Sequence, residues 1–298
     1  MTLEKLITEQ RNENSMNLDS LSTIQMITLI NEEDKKVAVA VEKELPAIGE
    51  VIDVIVNQLS QGGRLIYIGA GTSGRVGIVD AVECKPTFGT IHDEVIGIIA
   101  GGKAALINAQ EGSEDSKEDA IHDLKSIQLN QKDCLIGIAA SGRTPYVVSA
   151  INYANQLGAT TIALSSNKGC FIGKIAKMKI EVETGSEVLT GSTRMKAATA
   201  HKMVLNMIST GSMVKLGKVY ENLMVDVQIT NEKLYKRALS ILKNCLYIEE
   251  QEAKELLEAA RNEVKTAIIM KIKQMGYEQA KEALLRHDNH IRIVLREE

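Results

Sequence analysis

The chain has 298 residues, 44% of them hydrophobic, and a formal net charge of −4. Its lysines and arginines are dispersed rather than interleaved with aromatics, which argues against nucleic acid as a partner, and its four cysteines show no C-x-x-C spacing, which argues against a zinc knuckle or a disulfide framework. No apolar run approaches the roughly 18 residues of a membrane span, and the N-terminus lacks a cationic segment followed by an apolar core, so a protein of the reducing cytoplasm is expected.

Residues 1–20 are polar and weakly periodic and predict an extended arm that must find its partners on another surface, a dimer contact being one candidate. A helix is predicted from Ser22 or Thr23, with Ile24, Met26, Ile27 and Ile30 as its apolar stripe. A second, from about Asp34 to Ser60, carries Val37, Val41, Ile48, Val51 and Ile55 at helical spacing; Pro46 is expected to kink it and Gly62-Gly63 to stop it. Then comes Leu65-Ile66-Tyr67-Ile68, a continuous apolar run typical of a strand covered on both faces. Its turn, Gly69-Ala-Gly71-Thr72-Ser73-Gly74, points backbone N–H groups and a helix N-terminus at one spot, an anion site that needs no lysine. Gly69 is the position where a side chain would first obstruct a ligand.

The same glycines also satisfy the dinucleotide pattern G-x-G-x-x-G. That reading requires an acid after the second strand to hold the ribose hydroxyls. The next strand-like run, Val95–Ala100, ends instead in Gly101-Gly102-Lys103. A turn carrying Thr72 and Ser73 suits a terminal phosphate better.

Strand and helix alternate from there on, with strand cores near 65–69, 95–99, 134–139, 160–164 and 178–182, which predicts an α/β fold with a parallel five-stranded sheet. Ligands in such sheets bind beyond the carboxyl ends of the strands, where strand order reverses. The tips here are rich in hydroxyls: Thr72-Ser73, Ser141 and Thr144, Ser165-Ser166, and Thr184 with Ser186. The first and third tips each deliver a Ser-Gly-Arg, so Ser73 and Ser141 are expected to converge on one phosphate-bearing ligand. Ser192-Thr193-Arg194, before an apolar helix, again brings hydroxyls and a fixed positive charge to a helix N-terminus. His201, one turn into that helix, reads as a packing or interface residue. After Asp226 the pattern turns purely helical, over 230–243, 249–260, 262–275 and 278–287, with Thr230 and Asn262 as caps and Gly276 as a stop. This predicts a small C-terminal bundle of ubiquitin-associated-like shape, and a division into an N-terminal arm and helices (1–60), an α/β core (61–228) and the bundle (229–298).

Two sets of carboxylates follow strand tips. Glu83 is expected to end the helix opened by the phosphate turn, because Pro86 stops continuation; near the negative helix end and partly enclosed, its pKa should rise, which suits a general acid. Lys85 beside it would oppose that rise. Glu111, Glu114 and Asp115 form an acidic run beyond the second strand, and the residues alone leave open which one reaches the crevice.

Taken together, TEQRN (8–12), LIYIGAGTSGRVGIVDAVEC (65–84), IIAGG (98–102), EGSEDS (111–116), ASGRTPYV (140–147), LTGSTRMKAATAHK (189–202) and NLMVDVQITNEKL (222–234) resemble the N-acetylmuramic acid 6-phosphate etherase family over nearly the whole chain. The glucokinase regulatory protein shares several of these motifs on a longer chain. The resemblance implies a three-layer α-β-α sugar isomerase fold, cleavage of a lactyl ether in cell-wall amino sugar catabolism, a homodimer, and no metal or redox cofactor. It also implies that Glu83 donates a proton and that Glu114 is the second active-site acid. Thr72, Ser73, Ser141, Thr144, Ser192 and Arg194 are the expected phosphate and sugar contacts. The chain departs from the family pattern at Glu13, Lys85, Ala198 and Glu221. A phosphosugar isomerase and a non-catalytic phosphosugar sensor are the competing readings on the same fold.

Overall fold

The computed structural model of the protein describes residues 6–90, 93–110 and 112–297. Two long helices come first, α1 (Thr23–Glu42) and α2 (Leu45–Ser60). The boundary expected near Asp34 therefore falls eleven or so residues later. Pro46 lies in the first turn of α2, where its missing N–H would be unpaired anyway, so it starts a new helix instead of kinking an old one.

The alternating segment follows as β1 (Leu65–Gly69), α3 (Gly71–Phe88), β2 (Val95–Ile99), α4 (Ala104–Ile107), α5 (Lys117–Ser126), β3 (Cys134–Ile138), α6 (Pro145–Gln156), β4 (Thr160–Ser165), α7 (Phe171–Ile175), β5 (Met178–Glu181) and α8 (Lys196–Lys215). All five strands are parallel, in the order β2-β1-β3-β4-β5. Every residue of β1 and β3 is buried, as the unbroken apolar runs require of strands covered on both faces. Strand order reverses between β1 and β3, so the tips of these two strands face the one crevice where this topology binds ligands.

Helix α3 departs from expectation at both ends. It begins at Gly71 and runs through Pro86 to Phe88; a proline in the last turn forfeits one hydrogen bond, and Gly89, at φ +62°, closes the helix with its N–H on the Lys85 carbonyl. At its start, a Cβ on Gly69 would lie 2.8 Å from the Gly74 backbone nitrogen, and one on Gly74 would lie 2.6 Å from an Ile99 methylene. Gly69 therefore makes room for the helix start rather than for a ligand. Inside α3, Asp80 accepts hydrogen bonds from Tyr67, Asn206 and Ser209, a buried node between β1 and α8.

By compactness the chain falls into two units, Met1–Val82 with Asp93–Ser209 and Glu83–His92 with Thr210–Glu298. The second unit holds a two-stranded hairpin, β6 (Val219–Tyr220) and β7 (Leu223–Met224), and helices α9 (Glu232–Leu246), α10 (Glu250–Ala259), α11 (Val264–Lys273), α12 (Tyr277–Arg286) and α13 (Ile291–Arg296). Its own core centres on Leu242, Leu257, Ile268 and Leu284. The caps are Asn231 and Glu263, one residue beyond those expected, and Gly276 begins α12 while Gln274, at φ 51°, ends α11. Helix α13 has no counterpart among the predicted elements. Lys265, buried in this unit, is held 2.7 Å from Asp226; burial pushes its pKa down and the carboxylate opposes it.

Candidate active site

A crevice of about 470 Å³ opens at the tips of β1 and β3, entirely within the first unit. Thr72 and Ser73 reach it from the first turn of α3, Ser141 from the turn after β3, and Thr144 from the residue before α6. All four are half-buried. The turn after β3 depends on Gly142: its φ is +66°, and a Cβ there would lie 2.3 Å from the Cys170 Cβ. The Arg143 amide donates to Ser141 Oγ at 3.4 Å and closes the turn locally.

The acidic wall is built by the short 3-10 turn Ser113–Asp115, which brings Glu114 and Asp115 to the crevice. Glu111 lies outside the described residues. The expected convergence of Thr72, Ser73, Ser141, Thr144 and Glu114 is thus one place in the fold. Ser192 and Arg194 do not line it; their neighbour Thr193 does, and Arg194 is exposed. Glu83 does not line it either: it stands in the late turns of α3, exposed, in the segment assigned to the second unit.

Glu9 and Arg143 were not foreseen as crevice residues, and both line it. The signal for Glu9 was the TEQRN stretch, whose polarity predicts an arm that finds its partners on another surface. Part of that surface belongs to the same chain. Thr8 is fully buried and its hydroxyl accepts from Asn167 Nδ2, while the Ile7 amide donates to Asn167 Oδ1 at 2.8 Å. Asn12 Nδ2 donates to Glu33 and to the Ser186 carbonyl. Asn167, at the tip of β4, therefore anchors the arm.

Behind the crevice lies a buried charge network. Lys196 Nζ donates to Glu33 Oε2 at 2.7 Å with both side chains almost fully enclosed. Burial alone would raise the Glu33 pKa, but donors from Lys196, Lys36, Asn14 and Asn12 outweigh it and hold the carboxylate at about 2. Glu187 caps α8, accepting from the amides of Lys196 and Ala197, and burial pushes its pKa up against that pull. These contacts fix the loop that carries Thr193. His201 is fully buried with Nε2 3.1 Å from Ser166 Oγ, and burial lowers its pKa to about 4, so it is neutral at physiological pH. That agrees with a packing histidine.

Comparison with known proteins covers most of the chain. The model of the glucokinase regulatory protein N-terminal SIS domain matches residues 47–155, that of the SIS domain residues 113–211, and that of the C-terminal lid domain of glucokinase regulatory protein residues 221–266. An N-acetylmuramic acid 6-phosphate etherase of Geobacillus sp. (strain WCH70) is 55% identical over 98% of this chain and 99% of its own length. One of Bacillus cytotoxicus is 55% identical over 95% of this chain and 96% of its own. Among solved structures, a Bacteroides fragilis protein described as a phosphosugar isomerase involved in capsule formation superposes with a TM-score of 0.50 at 21% identity, covering 66% of this chain and 94% of that one; this is a likeness of fold alone.

Proposed function

Because this chain belongs to the N-acetylmuramic acid 6-phosphate etherase family, we propose that it cleaves the lactyl ether of N-acetylmuramic acid 6-phosphate to N-acetylglucosamine 6-phosphate and D-lactate, in the crevice between β1 and β3. An ether oxygen is a poor leaving group from an unactivated carbon. In the ring-opened sugar, however, the proton on carbon 2 is α to an aldehyde, and a carboxylate can remove it. As that C–H bond breaks, carbons 2 and 3 become doubly bonded and the lactate oxygen departs from carbon 3, taking a proton from an acid. Water then adds to carbon 3 of the unsaturated aldehyde and carbon 2 is reprotonated, so the net change is addition of one water across the ether.

The observation that carries this reading is a single crevice in which Glu114 meets the hydroxyls of Thr72, Ser73, Ser141 and Thr144. Those hydroxyls, with the amides at the start of α3, are suited to the 6-phosphate. Glu114 is then the base at carbon 2; Glu83, which does not line this crevice, keeps the donor role only as the family resemblance assigns it. Ser192 and Arg194 stand next to the crevice residue Thr193 and act on the sugar from that loop.

The protein works as a homodimer in this proposal. Val79 and Val82 are exposed on α3 at 57% and 62%, on the same helical face as Glu83, an apolar stripe that a second copy of the chain would cover. Sedimentation of the purified protein tests the dimer, with Val82→Glu expected to release monomers. Coupled detection of lactate from N-acetylmuramic acid 6-phosphate tests the reaction. Interconversion of an aldose and a ketose phosphate with no lactate would overturn it.

A further inference from the structure

A second, smaller cavity of about 220 Å³ adjoins the crevice and shares Ala70, Gly71 and Glu114 with it. Its chemistry is different. The walls include Ala100, Ala105 and Ala109, and one fixed cation, Arg75, lines it. The crevice collects hydroxyls suited to phosphate; the annex sets alanines beside a guanidinium, with Gln110, Ser113 and Glu114 as the rest of its polar lining.

Arg75 is held rather than loose. Its Nε donates to the Leu106 carbonyl at 3.3 Å and its Nη2 to the Asn108 carbonyl at 3.5 Å, both at the end of α4. A guanidinium has five N–H donors in a planar fork, so three remain after these two contacts. A pinned fork with spare donors is the geometry that takes a carboxylate in two parallel hydrogen bonds.

We propose that the annex is the subsite for the lactyl group and that Arg75 recognises its carboxylate. This rests on the etherase reading. The substrate has two substituents at adjacent carbons that can enter a chamber beside Glu114: the neutral acetamido group on carbon 2 and the lactyl group on carbon 3. Both carry a methyl that suits alanine walls. Only the lactyl group carries a negative charge, and a guanidinium in the chamber selects it. The placement also explains why β1 and β3 each deliver a Ser-Gly-Arg. Arg143 lines the crevice and Arg75 the annex, so the two anionic ends of the substrate, phosphate and carboxylate, are met by different arginines.

The test compares a ligand that has the lactyl group with one that lacks it. In the full-length protein, Arg75→Gln should raise KM for N-acetylmuramic acid 6-phosphate by roughly 10- to 100-fold, the usual loss for a hydrogen bond to a charged group. The Kd of N-acetylglucosamine 6-phosphate, measured by calorimetry, should stay within about twofold. Ala109→Leu narrows the annex from an exposed position while keeping the guanidinium, and should produce the same split. Equal weakening of both ligands in both variants, or no change in either, would overturn the assignment. If the wild-type protein releases no lactate, the etherase reading itself has failed, an outcome distinct from any pattern among the variants.

Discussion

At the scale of single residues, the crevice separates groups that do chemistry from groups that hold shape. Glu114 belongs to the first kind. Glu114→Gln keeps the side chain's size but cannot accept the carbon 2 proton, so kcat should fall by about 10²- to 10⁴-fold while N-acetylglucosamine 6-phosphate still binds in a calorimetric titration. Binding lost together with turnover would show instead that Glu114 only shapes the pocket. Gly142 is of the second kind. A methyl there meets the Cys170 Cβ at 2.3 Å on a left-handed backbone, so Gly142→Ala combines strain and overpacking. Denaturant melts should show a loss of about 2–4 kcal/mol.

At the scale of elements, the loop before α8 is positioned from behind by charge. Lys196 and Glu33 face each other in the interior, one at the head of α8 and the other within α1. Lys196→Met removes the buried cation from Glu33, leaving Lys36, Asn12 and Asn14 as its donors, and should cost about 1.5–3 kcal/mol in urea unfolding. The double variant Lys196→Met with Glu33→Leu should depart from the sum of the two single losses, because the partners share one network. The single variant should also raise KM, since the loop bearing Thr193 and the arm bearing Glu9 both lean on this network. Strand positions were legible in advance because β1 and β3 are apolar throughout. Helix ends were not, because Pro46 and Pro86 obey their place in the hydrogen-bond ladder: each is tolerated in a first or last turn.

At the scale of the whole molecule, acid should unfold the protein in two overlapping stages. Burial lowers the His201 pKa from 6.5 to about 4, so the unfolded chain binds this proton more readily than the folded one. Stability from this group is complete above about pH 6.5 and is lost as pH falls toward 4, by about 3 kcal/mol at about 1.4 kcal/mol per pH unit. Glu33 has the opposite ionisation and the same direction: its pKa of about 2 against 4.5 adds stability above pH 4.5 that disappears below it. Thermal melts between pH 7 and 4 should therefore steepen first through His201, and His201→Gln should flatten that portion of the curve. A slope unchanged in the variant would assign the early acid loss to other groups.

The amino-acid order by itself determined the parallel sheet, the hydroxyl-bearing tips of β1 and β3, and the family to which the chain belongs. Each of these is written in short-range pattern: apolar runs of strand length, glycines at a turn, and motifs of five to twenty residues. Tertiary structure decided what those patterns touch. It brings Glu114 and Asp115 to the crevice. It turns the polar arm back onto Asn167 and Glu33, so that Glu9 becomes a wall of the site. It places Arg75 and Arg143, each preceded by Ser-Gly, in two different chambers. The reason is physical: a hydrogen bond between Ile7 and Asn167 spans 160 positions of chain, and no periodicity in the sequence carries that distance.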